Sequence, residues 1–135
     1  MKIRYRSGYK YQLLDGFAIK TDICCGVPID SRYIILNPNG NLVVRSGYAW
    51  DGPSGPAVDT KSFMRASLVH DALYQLMRMG LLSVAWRKQA DKLLYSICVT
   101  DGMWRWRAGL AYRAVRRFAK GAAMPSNLKK TMEAG

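Results

Sequence analysis

Residues 52–56 read Gly-Pro-Ser-Gly-Pro, and no regular element passes through such a run. Proline lacks the amide that a helix interior or a central strand needs, and glycine costs either element extra chain entropy. The chain therefore has to be read as two patterns, one on each side of this break. Before it, residues 3–6, 9–14, 17–23, 33–36 and 42–50 are rich in β-branched and aromatic side chains, which predicts strands. Leu14-Asp15-Gly16 predicts a hairpin turn, and Asn37-Pro38-Asn39-Gly40 a second one, in which Asn-Gly supplies the positive φ angles of a tight turn. Gly26-Val27-Pro28 is expected to be a loop or a strand entrance.

After the break the apolar period changes to that of a helix. Asp59 or Thr60 can cap a helix over 61–79 in which Phe63, Ala66, Val69, Leu73 and Leu76 share a face, with Gly80 as its stop. Ser83 can cap a second helix that buries Trp86, Ala90, Leu93, Leu94 and Ile97 and ends near 101–102. A third runs over about 104–119, with Ala108, Ala111 and Val115 inward and Gly121 closing it. The expected fold is α+β: a small N-terminal antiparallel β-sheet followed by three helices, the first two antiparallel. The 135 residues suffice for one core without a metal or disulfide. A single domain is expected over 1–120, with a β-rich part at 1–49 and the loop and helices at 50–120, followed by a mobile basic tail at 121–135. Cys24, Cys25 and Cys98 are an odd number, two of them adjacent, which points to free thiols, and one histidine is too few for an ordinary zinc site.

Minority charge gathers in one place. The chain holds 21 basic and 9 acidic residues, a formal net charge of +12, and 50–91 contains the only histidine, His70, with Asp51, Asp59, Asp71 and Asp91. On the first helix His70 lies seven residues after Phe63, near the apolar stripe, while Asp71 is turned about 100° further round. Tyr74, four residues after His70, shares its side and can brace a carboxylate. Asp91 borders the buried face of the second helix, where a carboxylate needs a partner. That partner is either His70, whose tautomer it would fix so that the other ring nitrogen serves as a base, or Arg87 or Lys88 at the surface.

With His70-Asp71-x-x-Tyr74, the Gly/Pro loop at 50–56 and Gln89-Ala90-Asp91, the chain resembles the phospholipase A2 superfamily, most closely the compact type found in parvovirus capsid proteins. It also resembles phage and prophage proteins of unassigned function that share the His-Asp-x-x-Tyr and Ala-Asp pieces. The resemblance covers 50–95. It implies His70 as the base that activates a water, Asp91 as its orienting carboxylate, Asp71 as a calcium (Ca2+) ligand, the carbonyls of Trp50, Gly52 and Ser54 as further calcium donors, and the Gly52 amide as part of an oxyanion site. Trp50 stands where the family commonly has tyrosine, Ser54 where it has glycine, and Ala66, Ser67 and Leu73 stand where secreted members have cysteines. Asp51 is either an extra ligand or a loop cap.

The third helix carries Arg105, Arg107, Arg113, Arg116, Arg117 and Lys120, with no acidic residue between 104 and 120. Backed by Trp104, Trp106 and Tyr112, this basic stripe suits an anionic phospholipid surface. It equally suits nucleic-acid phosphates, or it is a solvated helix face. The expected function is calcium-dependent hydrolysis of a phospholipid ester, encoded by a phage. The first alternative is a non-enzymatic virion component, of tail, neck or capsid, that binds DNA or neighbouring virion proteins through its basic surface; the second is a basic nucleic-acid-binding protein with no site at all. No apolar stretch follows the basic N-terminus and no run is long enough to span a bilayer, so host cytoplasm or virion is the expected location, with no signal peptide and no transmembrane segment.

Overall fold

The computed structural model describes residues 3–6, 11–50 and 61–124. Seven short strands, β1 (Tyr5–Arg6), β2 (Tyr11–Leu13), β3 (Phe17–Lys20), β4 (Ile29–Asp30), β5 (Ile34–Leu36), β6 (Asn41–Val44) and β7 (Ala49–Trp50), precede three helices, α1 (Lys61–Arg78), α2 (Arg87–Thr100) and α3 (Arg105–Phe118). The α+β order is the expected one. The strands, however, form two antiparallel sheets, ordered β1-β2-β7 and β3-β6-β5-β4.

The split has a local cause. The run at 42–50, expected as one strand, breaks where Gly47 takes φ 94°, a conformation that an extended ladder cannot continue. Its first part pairs with β3 and β5 and its last part with β2. For the same reason Leu14-Asp15-Gly16 does not close a hairpin, because β2 and β3 on either side of it belong to different sheets. The second turn forms as expected. Asn37 N donates to Asn41 O and Gly40 N to Asn37 O, both at 2.9 Å, joining β5 to β6. Phe17, Ile34, Leu36, Leu42 and Val44 point inward from the larger sheet, as the two-residue period of one covered face requires.

Gly40 is the most constrained position of that sheet. Its φ is 96°, and a Cβ placed there would lie 2.2 Å from the carbonyl oxygen of Thr21, whose amide and hydroxyl both donate to Gly40 O. Gly40→Ala should destabilise the protein by about 2–3 kcal/mol. Urea unfolding measures it, and a midpoint equal to that of the wild type would refute the argument.

The side-chain pairs Arg65 with Asp101, His70 with Asp91 and Tyr74 with Arg87 run in opposite directions along α1 and α2, so these helices are antiparallel, as expected. Gly80, at φ 73°, ends the first, with Leu81 N donating back to Leu76 O. Ser83 does cap, but its hydroxyl accepts from Ala85 N at the start of a 3-10 turn, Val84–Trp86, and α2 begins only afterwards. Beyond α3 a second 3-10 turn, Lys120–Ala123, is docked: Ala123 is fully buried and Ala122 O accepts from Arg78 Nη1 at 2.7 Å. The expected tail at 121–135 thus begins within this packed turn, and its remainder lies outside the described residues. Residues of both sheets and all three helices share one hydrophobic cluster. All three cysteines are free, and burial together with the charge of Asp101 pushes the Cys98 thiol up to about 12.

Candidate active site

His70 and Tyr74 stand one turn apart on α1, with ring centroids 4.1 Å apart. Asp91 reaches them from α2 and is 0% exposed. Its Oδ1 is 2.6 Å from His70 Nε2 and accepts from the Tyr74 hydroxyl at 2.6 Å. Its Oδ2 accepts from Arg116 Nη1 at 2.8 Å. Arg87, one of the surface partners considered for Asp91, is engaged elsewhere: Nε donates to the Tyr74 hydroxyl at 3.0 Å, and Nη2 donates to the carbonyls of Val115 and Arg116 at 2.7 and 2.8 Å. Lys88 is exposed. The sequence alternatives for Asp91 thus resolve in favour of His70.

Burial by itself would raise the Asp91 pKa, but hydrogen bonds from His70, Tyr74 and Arg116 outweigh it and hold the carboxyl below its ordinary value. Burial, with the neighbouring Asp91 carboxylate, pushes the Tyr74 hydroxyl well above its ordinary value. Tyr74 is therefore a fixed hydrogen-bond donor and not an acid. His70, its side chain 12% exposed, lines a cleft of about 1120 Å3 between α1 and α3, walled mainly by apolar side chains such as Phe63, Leu94, Leu110 and Val115. With Nε2 committed to Asp91, Nδ1 is the ring nitrogen left for a substrate or water. The arrangement places an imidazole, hydrogen-bonded to a buried carboxylate, beside an apolar slot, which is chemically suited to hold one tautomer and leave the other nitrogen for a proton.

Asp71 also lines the cleft and accepts a hydrogen bond on Oδ2 from the hydroxyl of Tyr48. The sequence reading missed Tyr48, although its two-residue offset from Trp50 in a strand-rich run places both on one face. Trp50 is a buried anchor: its indole donates to Ser67 Oγ at 3.0 Å, and that hydroxyl donates to Met64 O at 2.8 Å, fastening β7 to α1. Gly52, Ser54 and Asp51 lie outside the described residues. Among the described residues no group of three or more His, Cys, Asp or Glu is placed to hold a metal. Calcium takes about six to eight oxygens, so Asp71 supplies a suitable oxygen but only a fraction of such a site.

The basic stripe expected on the third helix is corrected at Arg116. Arg105, Arg113, Arg117 and Lys120 are exposed, Arg107 is half-buried, and Arg116 turns inward to Asp91. Beside them runs an apolar ridge that the sequence reading did not separate out: Trp104, Trp106, Leu110 and Phe118 are 72, 62, 53 and 77% exposed, and all four also border the cleft. Its signal was present, since residues 106, 110, 114 and 118 recur every four positions, but Ala108, Ala111 and Val115 already accounted for the buried face. Among the described residues no helix is long and apolar enough to cross a membrane.

Comparison with protein families matches residues 28–115 to a model described as Protein of unknown function (DUF1353). No curated protein and no solved structure matches the chain.

Proposed function

Since the chain belongs to the DUF1353 family, whose description names no chemistry, we propose a function from the cleft itself: hydrolysis of a phospholipid ester, in the manner of phospholipase A2, at an anionic phospholipid surface. The observation that carries this reading is the opening of the 2.6 Å His70–Asp91 pair onto an apolar cleft rimmed by exposed aromatic side chains. An acyl chain fits such a slot. The rim, with Arg105, Arg113 and Arg117 nearby, suits head groups and the upper acyl region. Nucleic acid would need the charge but leaves the indoles and Phe118 unexplained.

In this mechanism Asp91 accepts the Nε2 proton of His70 as a hydrogen bond and keeps the ring turned, while the Nδ1 lone pair removes a proton from water. The water oxygen bonds to the ester carbonyl carbon, and the carbonyl pair moves onto its oxygen. As the pair returns, the bond to the alcohol oxygen breaks and the Nδ1 proton passes to that oxygen, giving a fatty acid and a lysophospholipid. Tyr74 holds the carboxylate throughout. Calcium, held by Asp71 with the carbonyls of Trp50, Gly52 and Ser54, would stabilise the oxyanion.

The test is fatty-acid release from phosphatidylglycerol and phosphatidylcholine vesicles, with millimolar calcium or a chelator. Release from phosphatidylglycerol that disappears with chelator and in Asp71→Asn is the expected result. Absence of fatty acid from both vesicles in calcium would end the hydrolytic reading; steeply salt-dependent binding to duplex DNA would then favour a nucleic-acid-binding role, and co-purification with particles in fixed copy number a virion one.

A further inference from the structure

Asp91 has two oxygens and they are used differently. Oδ1 serves His70 and Tyr74, whereas Oδ2 is taken by a guanidinium from another helix. A fully buried carboxylate needs a balancing positive charge held in good geometry, and an arginine, charged at every working pH, is the residue suited to supply it. Arg116 is 33% exposed, so its charge is partly solvated at one end and delivered to Asp91 at the other.

The backbone that carries Arg116 is itself fastened. Two carbonyls in the last turn of α3 are met by Arg87 Nη2: that of Val115, which also accepts from Ala119 N, and that of Arg116. Arg87 Nε donates to the Tyr74 hydroxyl, which in turn donates to Asp91 Oδ1. Two guanidinium groups therefore tie the last turn of α3 to the His70–Asp91 pair, one directly and one through Tyr74. None of this follows from the basic stripe, whose members Arg113 and Arg117 remain exposed.

We propose that Arg116 is a positioning residue of the site: it balances the buried charge of Asp91 and pins Oδ2, so that Oδ1 is held toward His70 and Tyr74. The role in catalysis rests on the hydrolytic reading above; the charge balance does not. It makes α3 part of the site and not merely a wall of the cleft.

The test is a thermal-unfolding cycle of wild type, Arg116→Met, Asp91→Asn and the double variant, with Arg116→Lys for rescue and Arg113→Met as control. Arg116→Met should lower the melting temperature by about 5–10 °C when Asp91 is present and by under about 2 °C in the Asp91→Asn background. Arg116→Lys should recover most of the loss, and Arg113→Met should show none. In fatty-acid release, Arg116→Met should lower kcat about 100-fold with KM unchanged, and lysine should restore it to within about tenfold. Equal shifts in both backgrounds, or methionine and lysine behaving alike, would overturn the proposal. A coupled cycle in a protein that releases no fatty acid would leave the charge balance standing, remove the catalytic role and reject the hydrolytic reading.

Discussion

Replacing His70 with alanine is expected to lower fatty-acid release about 100- to 10,000-fold, the usual contribution of a placed general base, while the melting temperature changes by only a few degrees. The two halves of that expectation come from different parts of the geometry. Loss of the ring removes the one imidazole in the chain and with it the base that the proposed reaction requires beside the cleft. The carboxylate behind it is not orphaned, because Tyr74 and Arg116 still donate to Asp91. The space left opens to the existing cleft, so no closed cavity forms and the packing penalty of a sealed void does not apply. Vesicle hydrolysis and circular dichroism on the same preparation check both halves. Release within twofold of wild type from a folded variant would show that the base lies elsewhere.

Asp91→Ala should behave in the opposite way, losing stability as well as activity. It leaves the buried Tyr74 hydroxyl and the Arg116 guanidinium without their acceptor; removing one partner of a fully buried pair costs about 3–5 kcal/mol, and the 33% exposure of Arg116 places the loss at or below the lower end of that range. The pH dependence has a definite sign. The folded-state pKa of Asp91 is depressed below the ordinary 3.8, so its ionised form contributes stability that is present above that value and is lost as pH falls through the folded-state value. The difference in urea midpoint between wild type and Asp91→Ala should accordingly be large at pH 7 and shrink in acid below pH 3.8. A difference that stayed constant over that range would mean that the carboxylate charge is not what stabilises the site.

The parts legible in the sequence are those whose partners are close along the chain or fixed by a helical period. His70 meets Asp91 because one short connection folds α1 back on α2, and the apolar spacing of each helix shows which side turns inward. The Asn37–Gly40 turn was legible because its chemistry is local. The division of the strands was not, since it depends on the positive φ of Gly47 and on which neighbours β2 and β7 find across the fold. Arg116 was hidden among four other arginines of the third helix. Only its place about 100° round from Val115, at the border of the buried face, sets it apart, and that border gains meaning only once α3 lies across the first two helices. Tyr48 was missed, and Arg87 was considered only as a surface partner of Asp91, because both act across elements, through contacts that depend on crossing geometry.

The interleaving of the strands fixes how far the folding unit extends. β7 and β6 fall within the 28–115 stretch that matches the family, yet β2, the partner of β7, and β3, one partner of β6, precede it. A chain trimmed to that stretch would carry two bare edges whose amides and carbonyls invite pairing with other molecules. Trimmed at its other end, it would stop one residue short of Arg116 and leave Asp91 with half its support. What recurs as a sequence pattern is thus shorter than what can fold, and a fragment meant to stand alone has to reach from β1 to the 3-10 turn after α3.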